Sequence, residues 1–209
     1  MKLIIGNKNY SSWSLRPWLV LKQFQISFSE KLIRIHRKDS LSKIRKYSQA
    51  GRAPVLMDGK TTVWESLAIC EYLAERFPTK NLWPKNFAAR AWARSISHEM
   101  HAGFSDLRQN LPMDCSLKTK LKKIPPAARE DIRRIQEIWT ACRKKFSGQG
   151  PFLFGKFSIA DAMYAPACLR FESHGVRSSV NCENYKRTIL ALPVMREWIE
   201  AALNEPERD

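Results

Sequence analysis

Residues Arg52 to Leu73, RAPVLMDGKTTVWESLAICEYL, constrain the fold of this chain more than any other stretch. Pro54 has no N–H to give to a sheet, so the Ala53-Pro54 bond belongs in a turn, cis or trans. Val55, Leu56 and Met57 read as a short strand. Asp58-Gly59 reads as the pair that supplies the left-handed angles of a two-residue hairpin turn, and Thr61, Thr62, Val63 and Trp64 as the returning strand. At Glu65-Ser66 the period changes from two to about 3.6, because Leu67, Ile69, Cys70 and Leu73 are spaced as the apolar face of a helix. A strand therefore passes directly into a helix. The junction leaves backbone N–H groups unpaired at the positive end of the helix dipole, beside a hydroxyl and a carboxylate, and can hold a small zwitterion.

The segments before this stretch complete a small sheet. Lys2 to Ile5 read as a buried strand, Asn7-Lys8-Asn9 as a polar turn, and YSSWSLRPWLVLKQF as a helix with Leu15, Trp18 and Leu19 on its apolar face. Pro17 fits only the first turn of that helix, and Ser11, Ser12 and Ser14 are candidate N-caps. Ser29 to Ile35 follow as a strand and Leu41 to Tyr47 as a short helix within a polar loop. A beta-alpha-beta unit followed by a beta-beta-alpha unit gives a mixed four-stranded sheet with a right-handed crossover. From Phe77 the composition turns to Pro, Lys and Asn, and strand signals cease. Helices are expected over Phe87–Leu111, Ala127–Phe146, Ile159–Phe171, Glu183–Leu190 and Val194–Leu203. The expected organisation is an α/β domain over residues 1–77, a linker over 78–86 and an all-α domain over 87–209.

Hydrophobic residues at 44% and seven tryptophans suit a packed globular protein, and no apolar run reaches the roughly 20 residues of a membrane span. The apolar run near the N-terminus is too short for a signal peptide, and five cysteines with no CxxC pair suit free thiols in a reducing compartment, so a cytoplasmic protein is expected. The net charge of +16 attracts small anions. Its basic residues lie in separate clusters, around Arg34 to Arg52, Lys118 to Lys123 and Arg143 to Lys145. No aromatics are interleaved to stack bases, so nucleic acid is disfavoured as a partner. His98, Glu99 and His101 form HExH rather than HExxH, and no metal is expected. Ser158 to Asp161 read as a helix capping box, and Cys70, Cys142 and Cys168 as packing residues.

Three motifs in order, SSWSLR, APVL with ESLAI following across the hairpin, and FGKFSIADAMYAP, make the whole chain resemble the cytosolic glutathione transferase superfamily, with members similar to the zeta class. The resemblance implies a thioredoxin-like N-terminal domain, an all-α C-terminal domain and a cytoplasmic homodimer, with glutathione as co-substrate and no other cofactor. It implies that Pro54 is cis and that Val55 pairs its backbone with the cysteinyl part of glutathione. Glu65 and Ser66 would take the γ-glutamyl end, and Arg52 could meet the glycyl carboxylate. The zeta-like pattern Ser-Ser-Cys-x-x-Arg falls on Ser11, Ser12, Trp13 and Arg16. Ser11 is the first choice for the hydroxyl that stabilises the glutathione thiolate and Ser12 the second; both could also serve simply as caps. Trp13 stands where the pattern has cysteine. This removes the nucleophile of a mixed-disulfide mechanism and speaks against the maleylacetoacetate isomerase activity associated with the zeta class.

Trp13, His101, Phe104 and Arg108 are the candidate lining of the second-substrate pocket, the last three at helical spacing on one face, with domain-interface packing as the alternative. The implied activity is attack of the thiolate on a small hydrophobic electrophile or a peroxide. The alternatives are a catalytically idle module that docks an acidic protein or RNA, and a ligandin-like binder of apolar anions.

Overall fold

The computed structural model describes residues 1–35, 37–117 and 124–205, so the basic cluster Lys118 to Lys123 lies outside the described residues. Strand β1 (Lys2–Ile5) leads to helix α1 (Ser12–Gln23), then β2 (Ser29–Leu32), α2 (Ser40–Arg45), β3 (Val55–Asp58), β4 (Thr61–Trp64) and α3 (Ser66–Arg76). The sheet order is β2-β1-β3-β4, with β1 parallel to β2 and the other pairs antiparallel. Alternation along β1 sorts its side chains to two faces. Leu3 and Ile5 join the main core with α1 and α3, while Ile4 joins Ile33, Ile44 and Val55 beneath α2.

Two local expectations shift by a few residues. The hairpin loop is Gly59-Lys60, not Asp58-Gly59, because Asp58 pairs with Thr61 in the ladder; Gly59 takes the positive φ of 59°. Asp58 is held there by its carboxylate, which accepts the Tyr72 hydroxyl at 2.9 Å. Strand β2 ends at Leu32, short of Ile35. The Asn7 side chain takes the Ile35 N–H at 2.8 Å in place of a strand partner, which turns the chain out of the sheet.

The helical half comprises α4 (Phe87–Ala102), α5 (Ser105–Asn110), α6 (Pro126–Phe146), α7 (Ile159–Ser173), α8 (Val180–Ala191) and α9 (Pro193–Leu203). The single helix expected over Phe87–Leu111 is two. Phe104 sits at φ 61°, ψ 38°, a left-handed conformation unfavourable to a bulky residue, and its ring is 7% exposed within the main core. Burial of that ring offsets the strained backbone, and Asp131 of α6 accepts the Leu107 N–H at 2.8 Å to start α5.

Every residue of α7 except Glu172 is buried. Such a helix needs its end satisfied internally, because water cannot reach its first N–H groups. Asp161 does this. Its carboxylate accepts from Ser158 N at 2.9 Å, Ser158 Oγ at 3.1 Å, Leu153 N at 3.0 Å and the Tyr185 hydroxyl at 3.2 Å. Burial pushes its pKa up to about 6, and the four donors oppose that shift. Asp161→Ala leaves these donors without an acceptor. It is expected to destabilise the protein by about 3–5 kcal/mol, read as a fall in the urea midpoint, with Asp161→Asn less severe.

Candidate functional site

The N-terminal end of α1 begins from a turn in which the Asn7 carbonyl accepts Tyr10 N at 3.2 Å and Ser11 N at 2.8 Å. The three serines then divide their duties. Ser14 Oγ accepts the Gly6 N–H at 3.1 Å and the Ser11 hydroxyl at 2.7 Å, tying the helix to the end of β1. Ser11 occupies the N-cap position without making a side-chain capping bond. It lies close against Gly6, where an added Cβ would come within 3.0 Å of Ser11 Oγ. Ser12 Oγ accepts from Arg170 Nη2 of α7 at 3.3 Å. Ser11 and Ser12 are 6% and 5% exposed. No acidic residue stands in the first turn of α1, so the positive end of its dipole is not locally neutralised.

Across from it stands the hairpin. The Ala53-Pro54 bond is cis, and Val55 directly after it pairs with Ile4 of β1 and Trp64 of β4. Its side chain is buried in the small core under α2. Glu65 has φ 70° and ψ 127°, a strained conformation for a residue with a side chain, and it is the last residue before α3. Ser66 opens that helix fully buried, and its Oγ has no hydrogen-bond partner among the described residues.

Between these parts runs a cleft of about 390 Å³. The hairpin side contributes Arg52, Ala53, Pro54, Trp64 and Glu65; the helices contribute Trp13, His101 and Ala102. His101 packs edge-on against Trp13, with centroids 5.2 Å apart, and its Nε2 lies 3.7 Å from Glu65 Oε2. Burial lowers the His101 pKa, as does the positive charge of Arg16, while Glu65 opposes them. Arg108 Cζ lies 5.4 Å from the Trp13 ring.

The structure thus gathers Arg52, Glu65, Trp13 and His101 on one cleft, with Arg108 beside Trp13 and Ser66 next to Glu65. Ser11 and Ser12, nearly buried beneath the start of α1, are not among the residues that line this cleft, and neither is Phe104. The break between α4 and α5 rotates it away from His101 into the core, so it does not line the cleft. His98 and Glu99 are also occupied elsewhere: His98 Nδ1 lies 2.9 Å from the Arg94 carbonyl, and Glu99 takes a two-pronged contact from Arg134. The sequence reading missed Trp64, and it missed Arg170, whose signal was an arginine embedded in the apolar run that forms α7.

Family models of the glutathione S-transferase N-terminal and C-terminal domains match residues 10–76 and 125–201. The chain belongs to the glutathione S-transferase family. It is 27% identical to a maleylacetoacetate isomerase of Dictyostelium discoideum over 95% of this chain and 91% of that one. It is 33% identical to a probable maleylacetoacetate isomerase of Caenorhabditis elegans, over 46% of this chain and 44% of that protein. In fold it matches a bacterial zeta-class transferase, a maleyl pyruvate isomerase, with a TM-score of 0.74 at 18% identity over the whole of both chains. It also matches a glutathione transferase homologue of Burkholderia with bound glutathione, with a TM-score of 0.73 at 21% identity over 98% of each chain. The likeness to the two maleylacetoacetate isomerases supports a zeta-like member of that family.

In this transferase-family cleft the His101 imidazole is expected to titrate below the ordinary histidine pKa of about 6.5 and so to be neutral at neutral pH. Glu65→Gln removes the charge that favours protonation and should lower that pKa further, while Arg108→Ala should raise it, both followed by NMR titration of the ring protons.

Proposed function

We propose that this protein is a glutathione transferase of the serine type, acting as a cytoplasmic homodimer with a detoxifying role. The observation that carries this reading is the junction of β4 and α3. There the strained Glu65 and the buried, unpartnered hydroxyl of Ser66 meet the positive end of a helix beside the cis Ala53-Pro54 turn. An α-carboxylate supplies the acceptor that Ser66 lacks, and Glu65 supplies an acceptor for an α-ammonium group. Val55 would pair its backbone with the cysteinyl segment, and the exposed Arg52 would face the glycyl carboxylate.

The thiol then lies toward the start of α1. A thiol with pKa near 8.5 is mostly protonated at neutral pH, and a shift of one unit needs about 1.4 kcal/mol. The helix dipole and one hydroxyl donor suffice for that. Ser11 is the first choice of donor, turning toward the sulfur the hydroxyl hydrogen bond it now gives to Ser14. Ser12 is the second; Arg170 donates to its oxygen, which leaves its own proton free. The thiolate attacks an electrophilic carbon or a peroxide oxygen held against Trp13 and His101.

A second reading, docking of an acidic protein or RNA without catalysis, is favoured by a groove of about 630 Å³ between β2 and α2. Lys31, Arg34, Arg37, Lys43 and Lys46 line it. Retention on immobilised glutathione separates the readings: a protein that ignores glutathione but binds RNA with steep salt dependence is the docking module.

Under the transferase reading, Ser11→Ala raises the pKa of bound glutathione by about one unit and lowers turnover at neutral pH by about tenfold, seen in the thiolate absorbance and in kcat. Unchanged values in Ser11→Ala, Ser12→Ala and the double variant would overturn the serine mechanism. Ser66→Ala should weaken glutathione binding with little change in kcat.

A further inference from the structure

Strand β2 lies at one edge of the sheet and is paired on one side only, with β1. The Ser29 N–H donates to the Met1 carbonyl at 3.1 Å and the Ile33 N–H to the Ile5 carbonyl at 2.8 Å. Backbone groups alternate along a strand, so Ser29, Lys31 and Ile33 turn theirs toward β1 while Glu30 and Leu32 turn theirs away from it. Those two outward N–H groups and two carbonyls have no hydrogen-bond partner among the described residues, and Ser29, Glu30 and Lys31 are exposed. Side chains alternate as well. Leu32 packs on the main core and Glu30 is held by Lys8 and the Trp18 indole, whereas Ile33 packs with Ile44 of α2, and Lys31 shares that face.

The groove of about 630 Å³ between β2 and α2 runs beside this open edge. Five cations line it against one carboxylate, Asp39, which is already paired with Lys43 at 2.5 Å. Lys31 and Lys46 have no carboxylate partner among the described residues. An open edge strand is a template for another extended chain, and charge beside it decides which chain is accepted. A second copy of this protein would bring lysine against lysine, so self-pairing is opposed. Nucleic acid supplies phosphate oxygens for the cations but no alternating donors and acceptors to match the open backbone groups, and Tyr47 is the only aromatic ring among the described residues of the lining. A peptide with acidic side chains satisfies both the edge and the cations.

We propose that the outer edge of β2 and the basic groove beside it form a docking surface for an extended acidic segment of another protein, which adds to the sheet as a further strand. Glu30 and Leu32 supply the backbone ladder. Carboxylates at alternate positions of the segment fall on the α2 side, where Lys31 and Lys46 meet them and Arg34 and Arg37 add positive charge. The segment is recognised by backbone geometry and by charge together. The proposal rests on the docking reading of this groove and names its partner. Because the groove shares no lining residue with the cleft between the hairpin and α1, the surface requires neither the presence nor the absence of catalysis.

Fluorescence anisotropy of a short fluorescein-labelled peptide of alternating Glu and Thr, titrated with the full chain at neutral pH and low salt, tests the proposal. Saturable binding is expected, with the amide NMR signals of Glu30 and Leu32 shifting as peptide is added. Lys31→Glu combined with Lys46→Glu should weaken binding by about tenfold or more. Lys60→Glu combined with Lys144→Glu, the same change of charge at exposed positions away from the groove, should leave it nearly unchanged. The same peptide methylated at every backbone nitrogen keeps its carboxylates but cannot donate to the ladder, and should bind about tenfold more weakly or worse. No saturable binding, or equal weakening by the two double variants, overturns the surface. Undiminished binding of the methylated peptide overturns the added strand and leaves docking by charge alone, and displacement of the peptide by tighter-binding poly(U) overturns the acidic segment in favour of RNA. Retention of the unaltered protein on immobilised glutathione is read alongside: peptide binding without retention removes the transferase and keeps the docking surface, and retention without peptide binding removes the docking surface alone.

Discussion

The packing of α1 between α3 and α7 is the contact on which the rest of the structure depends. One face of α1 covers the sheet, with Leu15 and Leu19 in the main core, and the other meets the buried helix of the C-terminal half. Because α7 has almost no exposed surface, its position is fixed by shape and by the Asp161 network at its start, and α1 inherits that precision. Trp13 at the head of α1 is therefore placed opposite the hairpin by the other half of the chain. The same contact brings the buried Arg16 and Arg170 together, so the positive charge there follows from how the halves join.

A second tie works at the opposite edge. Trp198 of α9 donates to the Lys8 carbonyl at 3.0 Å, Glu205 accepts the Lys8 N–H at 2.7 Å, and the Asn9 side chain accepts Cys115 N at 2.8 Å. Lys8 pairs with Glu30, which also accepts the Trp18 indole N–H at 2.8 Å. A short polar turn thus serves as the hub where strand, loop and C-terminal helix are joined by buried and part-buried hydrogen bonds.

What was legible in the sequence was whatever is decided locally. The hairpin, the proline turn, the change of period at Glu65-Ser66 and the capping box each depend on residues within a few positions, and each appears where the pattern put it, apart from the one-residue shift at Gly59. The break at Phe104 was hidden because helical periodicity cannot register a single residue whose strain is offset by distant packing. Asn7, Lys8 and Asn9 read as a polar turn, and their burial at 1%, 8% and 1% exposed was not legible there, since their partners lie far along the chain. In the candidate site, the cleft positions of Trp13, His101 and Glu65 could be anticipated from family motifs. The contact of Arg170 with Ser12 could not, because helices separated by scores of residues must first assemble it.

The left-handed turn at Phe104 has a bearing on how such a site can be remodelled. Since two residues, Gly103 and Phe104, separate α4 from α5, the direction in which Arg108 leaves the scaffold is independent of the helical register that orients His101. A substitution or insertion confined to the Gly103-Phe104 corner can re-aim the basic side of the cleft while the imidazole wall and the hairpin stay in place. The corner is a joint at which ligand preference can vary within an unchanged core.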